Sequence, residues 1–306
     1  MKLFGNLRAS LLLVLFLVAV CWVHESESSH GLSPGPGSLT LGLVPERNVF
    51  SQLERYDAVA AYLKEKVGVP VVFHVVPNYG HVLRDLQEGS LDGAFLGSFT
   101  YVVAHRRLGV EMLAGPVLAD GTSSYHGLLI ARRASGIRDV KGLRNKTFAF
   151  VDRAATAGYL FPLAYLKRRG VSSYRKYFKE AYFAGTHEDA LADVLAGRAD
   201  ACALKSTVFT ALTRSDPGIL GRIRILARSQ DVPENGLGVR PDLDPVLKRR
   251  LKSVLLHMHE DAEGRRALAA IGARRMVQRA DKEYDAVLHY AREIGLRLEN
   301  FAYDRD

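Results

Sequence analysis

The chain has 306 residues, 48% of them hydrophobic and 25% charged, with two cysteines and a formal net charge of +9. That length can bury enough apolar surface for two lobes of ordinary domain size and excludes a small scaffold held together by disulfides. The positive balance suits an anionic guest or an acidic partner surface.

The first residues carry Lys2 and Arg8, then an unbroken apolar run from Leu11 to Val23, then the polar stretch His24-Glu25-Ser26-Glu27-Ser28-Ser29. This is the layout of a secretory signal, so nucleic acid is set aside as a partner. At about 1.5 Å per residue the run reaches roughly 20 Å as a helix, short of the ~30 Å hydrocarbon core. Two fates stay open for Cys21. The segment Leu17-Val18-Ala19-Val20-Cys21 resembles a bacterial acylation box, and a lipid there would explain a Ser-, Gly- and Pro-rich tether from His24 to Ser38. Cleavage near Ser28 would instead discard Cys21. Residues 1–38 are therefore assigned to signal and tether, and membrane contact is expected only through that lipid. Either way Cys202 is the one mature thiol, and loss of Lys2 and Arg8 lowers the formal charge by two.

From Leu39 the pattern alternates strand and helix. Leu39 to Val44 reads as a strand ending at Pro45, and Leu53, Tyr56, Ala60, Leu63 and Val67 recur at helical spacing before Gly68. Val71 to Val76 reads as a buried strand, Tyr79 to Glu88 as a helix stopped by Gly89, Ala94 to Leu96 as a strand and Phe99 to Arg107 as a helix. Tyr125 to Arg132 is expected to be a strand that first crosses between lobes. Strands at Thr147–Val151, Glu180–Ala184, Asp200–Leu204 and Arg222–Ala227 then alternate with helices near Gly158–Arg169, His187–Ala196 and Thr207–Arg214. This is α/β architecture with a second sheet. After Val239 the chain turns helical, with Asp244 capping a helix that begins at Pro245. These last helices are expected to return to the first lobe, giving a discontinuous lobe of residues 39–127 and 233–306 and a second lobe of residues 128–232. The Arg249-Arg250, Arg265-Arg266 and Arg274-Arg275 pairs read as solvated helix faces.

Open α/β sheets bind ligands beyond the carboxyl ends of their strands, where helix N-termini present unpaired N–H groups. Two loops have that character. In Phe148 to Tyr159 a strand breaks into Ala154-Ala155-Thr156-Ala157-Gly158, small residues that let an oxyanion reach backbone amides, with the Thr156 hydroxyl as a further donor. In Gly185-Thr186-His187-Glu188-Asp189, Thr186 and Asp189 fit a capping box, and His187 falls in the first helical turn. A common guest between the helix ends near Thr156 and near His187 is the expectation.

Together with these loops, Asn78-Tyr79, Leu91-Asp92-Gly93-Ala94-Phe95-Leu96-Gly97, Gly121-Thr122-Ser123-Ser124-Tyr125 and Gly197-Arg198-Ala199-Asp200-Ala201 occur in an order that resembles the phosphate/phosphite/phosphonate substrate-binding proteins of ABC importers. The resemblance runs from about Leu39 to Met276. It implies a two-lobed type II periplasmic binding protein fold with a two-stranded hinge, closing on a small anion without chemistry or a cofactor. The implied protein is exported and periplasmic, a monomer that meets an importer permease. Tyr79 and Tyr125 match tyrosines that reach the ligand, Thr156 the middle of a Ser-Thr-Ser anion loop, and His187 a ligand-contacting histidine. This chain departs from the family at Ala155 and Ala157, which replace the loop serines, each worth about 1.5–3 kcal/mol as a donor to a charged oxygen. It departs again near Lys205 to Thr207 and at Asn235, where family members place acids that hold a substrate amine, and a positive Lys205 in that place argues against an aminoalkyl phosphonate. Lys205 could instead compensate an anion that has lost its serine donors, or be a solvated lysine at a strand end.

Other classes were weighed on particular residues. A cysteine enzyme on this fold would use Cys202, but Ala201-Cys202-Ala203-Leu204 reads as a buried strand, the setting of an inert thiol. His257 and His259 lie two apart on a helix and point to different faces, so no metal site is expected. A binding protein that feeds a membrane sensor or chemoreceptor shares every feature of the transport reading.

Overall fold

A computed structural model describes residues 37–301 of the protein. The signal segment, Cys21 and most of the tether lie outside the described residues. The first sheet contains β1 (Leu39–Leu43), β2 (Val71–Val75), β3 (Gly93–Leu96), β4 (Glu111–Leu118), β12 (Gly236–Val239) and β13 (Ala273–Val277), in the order β13-β4-β12-β3-β1-β2. β2, β1 and β3 run parallel, as helical crossovers require, and β12 returns antiparallel beside β3. The crossovers are α1 (Val49–Val67) and α2 (Tyr79–Glu88), and α3 (Ser98–Leu108) leads on to β4. Asn48 and Asn78 cap α1 and α2 with their side chains, and Gly68 and Gly89 end them at φ 79° and 80°, a left-handed geometry that glycine adopts without strain.

The second sheet contains β6 (Gly127–Arg132), β7 (Thr147–Phe150), β8 (Glu180–Phe183), β9 (Ala201–Lys205) and β10 (Ile223–Arg228), in the order β10-β6-β9-β7-β8. Between the sheets the chain passes out through β5 (Ser124–Tyr125) and back through β11 (Val232–Pro233). These pair antiparallel, Val232 with Tyr125 and Pro233 with Ser124, as a two-stranded ribbon. The strand expected over Tyr125–Arg132 is thus divided at His126 into a hinge part and a sheet part. α4 (Phe161–Lys167), the short α5 (Tyr174–Tyr177), α6 (His187–Ala196), α7 (Ser206–Ser215) and the short α8 (Ile219–Arg222) surround this sheet.

Four strands escaped the sequence pattern: β4, β11, β12 and β13. β4 contains Gly115-Pro116, which breaks its periodicity, and β13 places Arg274 and Arg275 in an exposed part of a strand. That pair is therefore not a helix face, whereas Arg249-Arg250 on α9 (Pro245–His257) and Arg265-Arg266 on α10 (Ala262–Ala270) are exposed on helices. α9 and α10 pack against α1 and β13 of the first sheet. The last helix, α11 (Asp285–Glu293), does not stay there. It lies against α3 and against α4, burying Val287, Tyr290 and Ala291, and the Tyr290 hydroxyl accepts from Gln230 N at 2.9 Å. Its apolar face completes a core that continues from Val82 and Phe99 to Phe148 and Leu204, across both sheets.

The turn that enters α4 depends on one glycine. Thr156–Leu160 forms a π-turn, and Gly158 O accepts from Val151 N at 3.2 Å, so a methyl group at Gly158 would overlap the Val151 side chain. Gly158→Ala is expected to destabilise the protein by about 1–3 kcal/mol through overpacking, read as a fall in thermal midpoint of roughly 2–4 °C per kcal/mol.

Candidate functional site

The cleft between the sheets is lined by the carboxyl ends of β1, β3, β7 and β9 and by the hinge ribbon. Two helix starts meet there. At α3 the cap residue is Gly97, which has no side chain to satisfy the first amides, and at the π-turn the cap residue is Ala155, which has no polar side chain. Their contact is direct: Phe99 N donates to Thr156 Oγ1 at 2.8 Å, and Thr100 Oγ1 donates to Ala154 O at 3.2 Å. Ala155, Thr156 and Ala157 are all buried.

Tyr79, the first residue of α2, is 3% exposed, and its hydroxyl is buried with no hydrogen-bond partner. Burial pushes that phenol far above its usual range, with the Glu46 and Asp152 carboxylates and Tyr125 adding to the shift. Asp152, which begins the π-turn loop, accepts from Ala154 N at 2.8 Å, and burial raises its carboxyl above the usual range. Tyr125 stands in the hinge with its own pKa pushed up to about 12 by burial, partly offset by Lys205.

Lys205, at the end of β9, is 1% exposed and is neither a solvated lysine nor a free cation. Its ammonium bonds Glu46 Oε1 at 2.7 Å, Asn235 Oδ1 at 3.0 Å and the Glu234 carboxylate, and it lies 4.6 Å from the centre of the Tyr125 ring. Burial alone would lower its pKa, but Glu234 and Glu46 outweigh that and hold it well above the ordinary lysine value. Glu46 is raised by burial yet lowered overall by Lys205 and His187, while Glu234 ends above the usual carboxylate range, chiefly through burial. The cluster therefore carries one net negative charge with both carboxylates ionised, and none when Glu234 holds a proton. The expectation that Lys205 compensates an anion is corrected on this point: two carboxylates already neutralise it.

His187 is 3% exposed, and its Nδ1 accepts from Lys205 N at 3.2 Å. Burial lowers its pKa to about 4, with Glu46 opposing and Lys205 adding a little, so the ring is neutral. Thr186 caps α6 as expected, accepting from Asp189 N at 2.9 Å, although Asp189 bonds the Thr186 hydroxyl at 2.7 Å rather than the cap backbone. Glu188 of that turn accepts from Asn48 N at 3.0 Å. The helix start that meets Thr156 is thus that of α3, and His187 joins the cluster through Lys205.

Glu46 and Glu234 were missed in the sequence. Each had a signal: Glu46 follows Pro45 at the carboxyl end of a parallel strand, the ligand-facing end of such sheets, and Glu234 adjoins Asn235. Glu46 is held in place by Gln52, whose Oε1 accepts from Glu46 N at 3.1 Å while its Nε2 donates to Val44 O at 2.7 Å. Cys202 is fully buried in mid-strand, where burial drives its thiol far above the reactive range. Among the described residues no group of three or more His, Cys, Asp or Glu is placed to hold a metal, and no helix is long and apolar enough to cross a membrane.

Two α/β lobes joined by a two-stranded ribbon, with a buried polar cleft between them, define a two-lobed binding protein of type II. The sequence profile described as "ABC transporter, phosphonate, periplasmic substrate-binding protein" matches residues 41–284. The chain belongs to this family, whose members bind substrates for ABC importers and are not enzymes. It is 27% identical over 254 residues to the phosphate-import protein PhnD of Mycolicibacterium smegmatis, covering 79% of this chain and 78% of that one. Its fold is similar to PhnD1 of Prochlorococcus marinus in complex with methylphosphonate, with TM-score 0.75, 22% identity and coverage of 85% and 98%. It is also similar to a binding protein component of an ABC phosphonate transporter from Pseudomonas aeruginosa, with TM-score 0.77, 20% identity and coverage of 84% and 87%.

The neutral His187 makes stability depend on pH with a definite sign. Its ring pKa is about 4 in the fold against 6.5 when unperturbed, so above about pH 6.5 neither state binds the proton. As pH falls from 6.5 towards 4 only the unfolded chain takes it up, and stability is lost. Relative to His187→Gln, the wild-type protein is expected to lose on the order of 3 kcal/mol across that window, measured by urea unfolding at successive pH values. The contribution of Glu234, which does not act on His187, cancels in the comparison with the variant.

Proposed function

We propose that the chain captures a small phosphorus oxyanion, phosphate, phosphite or a simple phosphonate, in the cleft and hands it unchanged to an importer permease. The observation that carries this reading is the meeting of the two helix starts at Gly97-Ser98-Phe99 and Ala155-Thr156-Ala157, neither capped by its own side chain. Their amides gather partial positive charge at one place, an arrangement that an anion bound beside them stabilises. Around them stand the unpartnered Tyr79 hydroxyl, the Tyr125 phenol and the Thr156 hydroxyl, all donors suited to phosphoryl oxygens. Ala155 and Ala157 leave recognition on that side to backbone N–H groups. The relatives support the same ligand class, being a phosphate-import protein and a protein seen with methylphosphonate.

Because Lys205 is neutralised and His187 is uncharged, attraction in this reading comes from hydrogen bonds and helix ends at short range rather than from a net positive cleft. The matching family and the leader support export to the periplasm, with Cys21 as a lipid anchor where the leader is acylated.

Titration calorimetry with phosphate, phosphite, methylphosphonate and sulfate tests this. One of the phosphorus oxyanions is expected to bind with a single site, Thr156→Val to weaken it by roughly 10- to 100-fold, and Thr156→Ser to bind close to wild type. Absence of binding by every phosphorus oxyanion, or equal affinity in wild type and Thr156→Val, overturns the site.

A further inference from the structure

The surroundings of the Lys205 ammonium have the make-up of an alkylammonium receptor. Its three N–H donors are matched by three acceptors, on Glu46, Glu234 and Asn235, and the Tyr125 ring closes one side at 4.6 Å. None of these groups belongs to the sheet that carries Lys205. Glu46 follows β1, Glu234 and Asn235 link β11 to β12, and Tyr125 is in the hinge, whereas Lys205 reaches them from β9 of the second sheet. The receptor is built independently of the lysine: Gln52 pins Glu46, and Glu234 N donates to Ser123 O at 3.0 Å across the hinge ribbon. It has acceptor capacity to spare, since two carboxylates serve one cation and Glu234 Oε2 is buried with no partner. Next to it lies a cavity of about 250 Å³ whose walls combine Glu46, Glu234 and Asn235 at the cage with Tyr56, Phe95 and the arginines Arg47, Arg55 and Arg214 beyond it.

We propose that Lys205 is the specificity-determining residue of the cleft: a tethered alkylammonium that fills a cage made for one and so excludes guests bearing a cationic amino group beside their oxyanion. The statement about guests rests on the oxyanion reading above; the statement about the cage does not. A second ammonium in the cleft would meet a like charge, the Lys205 ammonium, already seated between both carboxylates. A ligand with no amine loses nothing by the arrangement, because its oxygens face the helix starts at Ser98 and Thr156 rather than the cage.

Severing the lysine at Cβ tests the cage. In Lys205→Ala the missing piece is n-propylammonium, which can enter through the adjoining cavity. At tens of millimolar, against KCl of equal ionic strength and with no oxyanion present, n-propylammonium chloride is expected to raise the thermal midpoint of Lys205→Ala by roughly 3–5 °C in a saturable manner. It should leave wild type and Lys205→Met unmoved, since each keeps a side chain in the cage. Should Lys205→Ala fail to accumulate folded, Lys205→Ala with Glu234→Gln removes one uncompensated carboxylate and serves the same titration. No response beyond KCl in the truncated variant, or an equal response in Lys205→Met, overturns the cage. In a second arm, 2-aminoethylphosphonate is expected to gain at least roughly tenfold in affinity over methylphosphonate on going from wild type to Lys205→Ala; an unchanged ratio overturns the specificity role. Oxyanion binding by wild type reports on the anion site separately, so failure of one reading is distinguishable from failure of the other.

Discussion

A lysine ammonium buried at the junction of two sheets sets the terms for everything around it. Taking such a charge out of water costs several kcal/mol, and the fold offsets this with two carboxylates, an amide oxygen and an aromatic face drawn from separate segments. A buried ion cluster adds little net stability over a well-packed apolar one, but removing one member leaves an uncompensated charge. Its contribution is therefore geometric. Lys205 meets Glu46 and Glu234 only when the end of β9 is drawn against the end of β1 and the hinge, and the contacts Phe99 to Thr156, Thr100 to Ala154 and Asn48 to Glu188 join the same two halves. The closed arrangement is thus held by the protein's own groups, and a guest shifts the lobes by what it adds to them.

The same cluster determines the electrostatic character of the cleft. With Lys205 neutralised and His187 held uncharged by burial, recognition of an anion falls to oriented dipoles: backbone amides at two helix starts and the hydroxyls of Tyr79, Tyr125 and Thr156. Such donors act within hydrogen-bond reach, so they reward correct placement of oxygens rather than charge alone. The alanines at 155 and 157 are consistent with this division of work, since they withdraw side-chain donors without obstructing the amides.

Much of the architecture was readable in the sequence because it obeys local rules. Helix α2 spans Tyr79–Glu88 and α6 spans His187–Ala196, the bounds expected from the Gly89 stop and the Thr186 cap, and Asn78 and Gly197 complete the two helices. The β-branched run at Val71 forms a parallel strand, but at the sheet edge and largely half-buried rather than buried, whereas the apolar strand at Ala201 is fully buried in mid-sheet. Where local rules were silent, the reading failed. β4 contains Gly115-Pro116, β13 contains an arginine pair, and both are strands because neighbouring strands accept their hydrogen bonds. The C-terminal helix α11 has an amphipathic pattern that suits several partners, and its choice of both α3 and α4 follows from the shape of the assembled core.

The sequence by itself determined the α/β alternation, the caps, the family resemblance and the small-residue loop around Thr156, because each rests on residues close together along the chain. Tertiary structure alone decided the partner of each charged or polar group. Glu46, Lys205 and Glu234 are separated by long stretches of chain, and nothing local distinguishes a lysine facing water from one enclosed by two carboxylates. Likewise the helix start that meets Thr156 is that of α3, 57 residues away, not the one near His187. Register within an element is encoded by its own side chains, whereas which strand ends face one another depends on how two sheets fold about a hinge.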